Sequence, residues 1–569
     1  MARESFEATD ETVLETYRSH ALVPVIFSYA NYRNEVLRKV CVRLHNSGKI
    51  DLLQLVHSDE FNSIGNSQFF AGQNFFHEVI PDLTASVPSM MRCVKALVDR
   101  GGSDLAAGFP FEAFKAWCAK DFQRAREVIS IAQTDEEIAN GFLTTALLAG
   151  NFEQDAKEFA INYTDGRRLA GVFALGRVTH TELADTNTRL ALFEELVSDN
   201  VDDALYANTL LATLEIAKNS PESDQDSLFR IVAKISKHPS PEVLHAFSQT
   251  LAHYPKQLTD RILVLVLDAL RGLSPAQKGS LNALDVGLSQ LLAGPESDRV
   301  IDFLTDYLPL NAEALKLSDL QSFTSSLRDN PTQLQKVLLA WMLIGNVVLC
   351  EGIAALFRNG EDKPYNFDTS ISHLDSSEQT FVCRKIVGYL FTQPCTASSF
   401  LVCVLRQCSE LVSQQVSELM LTVILRNYSG AAKAYLSSIS PDDAAFTRIQ
   451  PLLLESNDYL ANLESVGTIK ELHPSESARQ TVMLKDFDQM QDARREAEKQ
   501  SIFLNLVSRS VIAHGRKTLS YLGLENNREP MEMELHPHSF SFEVPRQEFL
   551  DPVSTSYLIR VLRSERRNI

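Results

Sequence analysis

The sequence lacks the short motifs that usually announce chemistry. It has no G-x-S-x-G elbow, no G-x-x-x-x-G-K-[ST] loop, no G-x-G-x-x-G turn after a strand and no kinase signature, so nothing marks a nucleophile turn or a phosphate cradle. His77-Glu78 opens like the zinc motif H-E-x-x-H, but Pro81 stands where the second histidine belongs. Basic residues are in deficit, with 54 Lys and Arg against 73 Asp and Glu and a net charge of -19. That balance argues against wholesale binding to a nucleic-acid backbone, which depends on Lys and Arg displacing condensed counterions.

Cysteine is sparse and unpaired in pattern. The eight thiols, Cys41, Cys93, Cys118, Cys350, Cys383, Cys395, Cys403 and Cys408, form no C-x-x-C or zinc-ligand spacing, and read as buried thiols in a reducing compartment. The longest apolar run, 337–350, contains Asn346 and is flanked by Lys336 and Glu351. It falls short of the ~20 residues of a membrane span and reads as a buried core helix. The first residues are acidic and amphipathic rather than apolar, so no signal peptide is expected and the location is read as cytoplasmic, with no membrane partner.

What is present is helical periodicity broken at regular intervals. The apolar doublets Leu192-Phe193, Leu228-Phe229, Ile262-Leu263 and Val300-Ile301 are separated by 36, 34 and 38 residues, the length of one helix-turn-helix unit. Second helices are expected between them at 204–217, 241–252 and 275–292. Ser240-Pro241 and Ser274-Pro275 each place a capping hydroxyl before a proline at the first helical position. Leu228, Ile231, Val232 and Ile235, and Ile262, Val266, Leu267 and Leu270, form single apolar stripes that a lone hairpin cannot cover, so neighbouring hairpins must stack.

The segment GRRLAGVFALGR at 166–177 resembles the second helix of a HEAT repeat, with Ala170, Gly171, Ala174 and Gly176 allowing close helix packing. The resemblance is clearest over about 120–310. It implies an all-α fold: a HEAT-like (armadillo-type) α-solenoid of stacked helical hairpins, a right-handed superhelix whose concave face binds another macromolecule. The other units lack the paired Ala and Gly, and the pattern specifies packing rather than activity.

Five regions follow: an N-terminal helical cap at 1–110, the repeats at 111–310, further helices at 311–473 continuing or capping the solenoid, a polar linker helix at 474–500, and a small α+β module at 501–569. In the cap, helical runs are expected at 11–29, 33–44 and 90–98. Phe69, Phe70, Phe75 and Phe76 are read as anchors of an irregular stretch at 62–74, with an exposed binding patch as the alternative. The stretch 359–368 is read as a surface loop.

The module is where strand periodicity persuades. Met531, Met533 and Leu535 alternate with Glu532, Glu534 and His536, and Phe540, Phe542 and Val544 alternate with Ser541 and Glu543, as in a β-hairpin turning at 536–539. A helix is expected after Asp551-Pro552, with Val553, Tyr557, Leu558, Val561 and Leu562 inward and Arg560, Arg563, Arg566 and Arg567 outward. His536 and His538 with Glu532 and Glu534 form a weak metal candidate, because no spacing fixes a third ligand type around them. The four arginines form a candidate anion or partner contact, since their spacing lines them along one helix side.

The functional expectation is a non-enzymatic protein–protein interaction scaffold or adaptor, with no cofactor, whose terminal module supplies a second contact or self-association. The alternative is a nucleic-acid-associated subunit that meets phosphates through the arginine helix. A metal-dependent enzyme at the terminal hairpin ranks last.

Overall fold

A computed structural model describes residues 6–567 apart from 29, 32, 103–107, 180–182, 200–201, 221–223, 359–361, 468–474, 501–508, 513–516, 523–528 and 535–545. The chain is predominantly helical and divides into two units, Met1–Asn330 and Pro331–Ile569. Among the described residues, no helix is long and apolar enough to cross a membrane.

In the first unit, the run expected over 11–29 is split into Asp10–Arg18 and Leu22–Ile26, with His20 between them at φ 59°. Helices Glu35–Asn46 and Val87–Gly101 match the other two expectations. The expected irregular stretch is instead mostly helix Asn66–Val79. That helix turns Phe69, Phe75 and Phe76 into the core, where Phe27 and Phe61 meet them. The exposed aromatic patch is therefore ruled out: burying each ring is worth roughly 1.5–3 kcal/mol.

The regular part of this unit comprises α1 (Glu153–Asn162), α2 (Gly166–Arg177), α3 (Leu183–Asp199), α4 (Asp203–Asn219), α5 (Gln225–Ile235), α6 (Pro241–His253), α7 (Asp260–Leu270), α8 (Lys278–Leu292), α9 (Ser297–Leu310) and α10 (Gln321–Asp329). They form two rows. One runs α2, α4, α6, α8, α10, and the other α3, α5, α7, α9, each helix packing on the next in its row. All four doublets lie on the second row. In the first, Ala170, Gly171, Ala174 and Gly176 are buried, and a Cβ at Gly176 would lie 2.7 Å from Ala212 Cα of α4.

A ladder of ion pairs runs along the second row, its first rung reaching back to α1. Arg189 on α3 reaches back 36 residues to Glu153, Arg230 on α5 reaches 36 to Glu194, Arg261 on α7 reaches 35 to Asp226, and Arg299 on α9 reaches 39 to Asp260. Helix α6 starts at Pro241 as expected, with Ser240 Oγ accepting the Val243 N–H. Helix α8 does not start at Pro275. Pro275 is buried in a turn in which the Gln277 N–H donates to Ser274 O, and the helix begins at Lys278.

The second unit opens with α11 (Pro331–Ile344) and α12 (Val347–Arg358). The apolar run 337–350 is thus two helices rather than one. Gly345 takes φ 70° to end the first, and Asn346 Oδ1 accepts the Val348 N–H to start the second. The expected surface loop is partly a packed strap. Phe367 is buried against Phe400, and the Asp362 carboxylate accepts the N–H groups of Cys395 and Thr396. Helices α13 (Ser376–Tyr389) and α14 (Pro394–Leu405) follow, then Glu410–Leu419, a π-helical turn Met420–Leu425, and α15 (Phe446–Gly467).

Beyond α15 come the charged helix α16 (Glu476–Gln500), strands β1 (Arg509–Ile512), β2 (Lys517–Leu522) and β3 (Glu529–Glu534), and finally α17 (Pro552–Ser564). The strands form an antiparallel sheet in the order β1-β2-β3, with Leu519 opposite Glu532. The strand expected over 531–535 is largely β3, but its partner is β2. The turn at 536–539 and the strand at 540–544 of the expected hairpin lie outside the described residues.

Candidate interaction surface on the C-terminal helix

Helix α17 is shaped by its own caps and by a distant helix. The Asp551 carboxylate accepts the Ser554 N–H at 3.1 Å, and Pro552 occupies the first turn, where its missing N–H costs nothing. The N–H and hydroxyl of Ser554 hold the Asp551 carboxyl below its ordinary value. Just upstream, the Gln547 N–H donates to Arg426 O, and the Glu548 N–H donates to Asn427 Oδ1 at 2.7 Å. Tyr459 of α15 donates its hydroxyl to Gln547 Oε1 at 2.8 Å, and the Arg546 guanidinium lies 4.5 Å from the Tyr428 ring. From residue 546 the chain is therefore held on the helical unit by these contacts.

The face of α17 carrying Thr555, Ile559 and Leu562 is buried, and α17 packs on α13. A Cβ at Gly388 would stand 3.1 Å from Leu562 Cβ and 3.3 Å from Arg563 N, so the bare glycine lets the two helices approach. The helix ends then exchange partners. Arg563 Nε donates to Gly388 O at 2.6 Å, near the end of α13, while Lys385 Nζ donates to Arg563 O at 2.6 Å, near the end of α17. Tyr389 adds its hydroxyl to the same carbonyl at 3.3 Å, and Arg384 clasps Glu565 through two bonds of 2.7 and 2.6 Å. Cations at helix C-termini satisfy orphan carbonyls and complement the macrodipole. Burial holds Lys385 below the ordinary lysine value.

This docking turns the helix away from the orientation expected from its sequence. Leu562 is buried as expected, but Val553 is 78% exposed and Tyr557 70%, and Leu558 and Val561 are also exposed. Phe549 and Leu550 extend the same apolar surface at its N-terminal side. Val553, Tyr557 and Val561 follow i, i+4 and i+8 spacing along α17 and make one stripe on the side opposite Ile559 and Leu562. A helix apolar on two opposite faces is suited to lie between two surfaces.

The four arginines are divided by the same rotation. Arg563 is half-buried against Gly388 and Tyr389, and Arg567 pairs with Glu378. Arg560 and Arg566 are exposed. Two of the four expected anion contacts thus hold the helix in place. Of the metal candidates, Glu532 and Glu534 lie on β3 opposite Leu519 and Lys517, while His536 and His538 lie outside the described residues. Among the described residues, no three His, Cys, Asp or Glu side chains gather as a metal-holding group.

The cysteines are buried free thiols. Burial pushes Cys41, Cys93, Cys118 and Cys350 up to about 12, which leaves them poor nucleophiles near neutral pH. His77 Nδ1 lies 3.2 Å from Phe109 O, and Glu78 faces Arg38, so both members of the broken zinc motif have structural partners. The exposed stripe of α17 could not be assigned from the sequence, because the signal that selects the outward face lies on α13. No protein-family model matches this chain, and no curated protein matches it in sequence.

Proposed function

We propose that this protein is a non-enzymatic protein–protein interaction scaffold, working in the cytoplasm, with a HEAT-like α-solenoid as its frame and the outward face of α17 as a partner contact. The carrying observation is the exposed stripe Val553, Tyr557 and Val561 on a helix clamped along its other side. A clamped apolar stripe offers a partner contact area whose ordering entropy is already spent in folding, and tyrosine is among the residues enriched at such contacts. The solenoid frame is supported by the two rows of helices and by ion pairs that each bridge 35–39 residues of sequence.

The test is capture by tagged full-length wild type beside a Tyr557→Asp, Val561→Asp variant, at low and high salt, with co-purifying protein and nucleic acid both assayed. The proposal expects a protein that follows the wild type, is lost from the variant and survives high salt. Retention by the variant would contradict it. A bound polynucleotide released by salt would favour phosphate contact through Arg560 and Arg566 instead.

A further inference from the structure

The strap between α12 and α13 has, over residues 366–371, the habits of a lone strand. Asn366, Asp368 and Ser370 are exposed, while Phe367 and Ile371 are buried and Thr369 is half-buried, which is a two-residue period. Glutamine side chains serve its two edges in place of neighbouring strands. On one edge Gln407 Nε2 donates to Thr369 O at 3.2 Å, and Gln407 Oε1 accepts the Ile371 N–H at 3.3 Å. On the other, Gln335 Nε2 of α11 donates to Asn366 O at 3.2 Å, and Gln335 Oε1 accepts the Asp368 N–H at 2.8 Å. Each carboxamide thus takes the pair of bonds that one residue of a parallel strand would take, to a carbonyl and to the N–H two residues on.

Beyond Gln335 that edge is unfilled. Asp368 O and Ser370 N form the next such pair, and neither they nor Ser370 O meets a hydrogen-bond partner among the described residues. The edge borders a groove of about 520 Å³ between the strap and α11, with Leu339, Ala340 and Leu343 of α11 in its lining. Lys336 stands on the helix side of the groove, and Asp368, exposed, supplies the charge on the strap side. A strand edge that offers main-chain bonds, beside a pocket that takes alternate side chains, is the arrangement that recognises a peptide by strand addition.

We infer that this edge docks an extended, basic peptide segment of a partner, which adds as a strand on Asp368 O and Ser370 N, sets apolar side chains on Leu339, Ala340 and Leu343, and places a Lys or Arg beside Asp368. Opposite charges on adjacent strands favour that register, and a chain of net charge -19 draws basic segments toward it. The side chain of Gln335 already shows the bonding the peptide backbone would continue. This contact is separate from the outward face of α17, and the two fail separately.

Fluorescence anisotropy of a labelled Lys-Val-Lys-Val-Lys-Val-Lys peptide with the full-length chain at physiological salt tests it, with far-UV circular dichroism to show that each variant is folded. The control peptide has the same sequence and charge but is N-methylated at every residue, so its backbone cannot donate. The plain peptide is expected to bind saturably and the methylated one not to bind. Ala340→Trp, which fills the groove, and Ser370→Pro, which removes the N–H without touching the bonds of Gln335 or Gln407, are each expected to weaken binding about tenfold. Asp368→Lys is expected to weaken it about two- to fivefold, and Tyr557→Asp to leave it unchanged. Absence of saturable binding overturns the inference, as does equal binding of the methylated peptide or indifference to Ala340→Trp and Ser370→Pro. Indifference to Asp368→Lys overturns the basic character of the partner.

Discussion

Lys385 Nζ donates to the backbone carbonyl of Arg563 at 2.6 Å, although 178 residues separate them. Arg563 answers through Nε to the carbonyl of Gly388, so each helix end supplies the cation that the other helix end needs. This exchange fixes which side of α17 faces water and therefore which side is available to a partner.

The clamp depends on close approach at Gly388. Gly388→Val places a branched side chain where Leu562 and Arg563 now stand within about 3.3 Å. Valine also helps the helix little, so overpacking should cost about 1–3 kcal/mol. The expected outcome is a lower urea midpoint together with faster proteolysis after residue 550. A variant as stable and as protected as the wild type would show that the helices do not meet at this point.

Lys385 gives the clamp a pH dependence of defined sign. Its folded pKa is depressed by burial, so below that value the native state carries the full cost of a buried cation. As pH rises from the depressed value toward the ordinary 10.5, the native ammonium loses its proton before the unfolded one does, and the cost is lifted. Stability of wild type relative to Lys385→Met should therefore increase across that alkaline window. Parallel denaturant titrations at neutral pH and near pH 10 check this, and a constant difference would contradict it.

The ladder of ion pairs is not uniform in depth. The Arg189 side chain is 3% exposed, pairs with Glu153 and donates to Leu175 O and Val178 O, whereas the Arg261 and Asp226 side chains are 63% and 71% exposed. Arg189→Met leaves a carboxylate and two carbonyls without their donor and should cost about 1–3 kcal/mol. Arg261→Met should cost under about 1 kcal/mol. Thermal or urea unfolding of both variants measures the contrast, and equal effects would refute it.

Much of the helical pattern was legible because it is local. Leu228, Ile231, Val232 and Ile235 announce their stripe by spacing alone, and all four are buried. Local signals misled where tertiary packing decides between equal alternatives. Ser240-Pro241 and Ser274-Pro275 look alike, yet only the first starts a helix at its proline, because Pro275 is buried in a turn. Helix α17 has apolar residues on two opposite sides, so periodicity cannot choose the inward one. The choice is made by Gly388, Lys385 and Arg384, which lie more than 170 residues away. For the same reason the arginines could be placed on a helix from sequence, but Arg563 and Arg567 could not be separated from Arg560 and Arg566.

The central claim is that α17 is clamped on one side and open to another protein on the other. The most direct measurement is site-specific photo-cross-linking in cells producing the full-length chain, with a photoreactive phenylalanine at position 557 and, as control, at position 559. The account predicts an adduct with another polypeptide from position 557 and none from 559, whose side chain is buried. Cross-linking to another protein from 559, or from neither position, would contradict it.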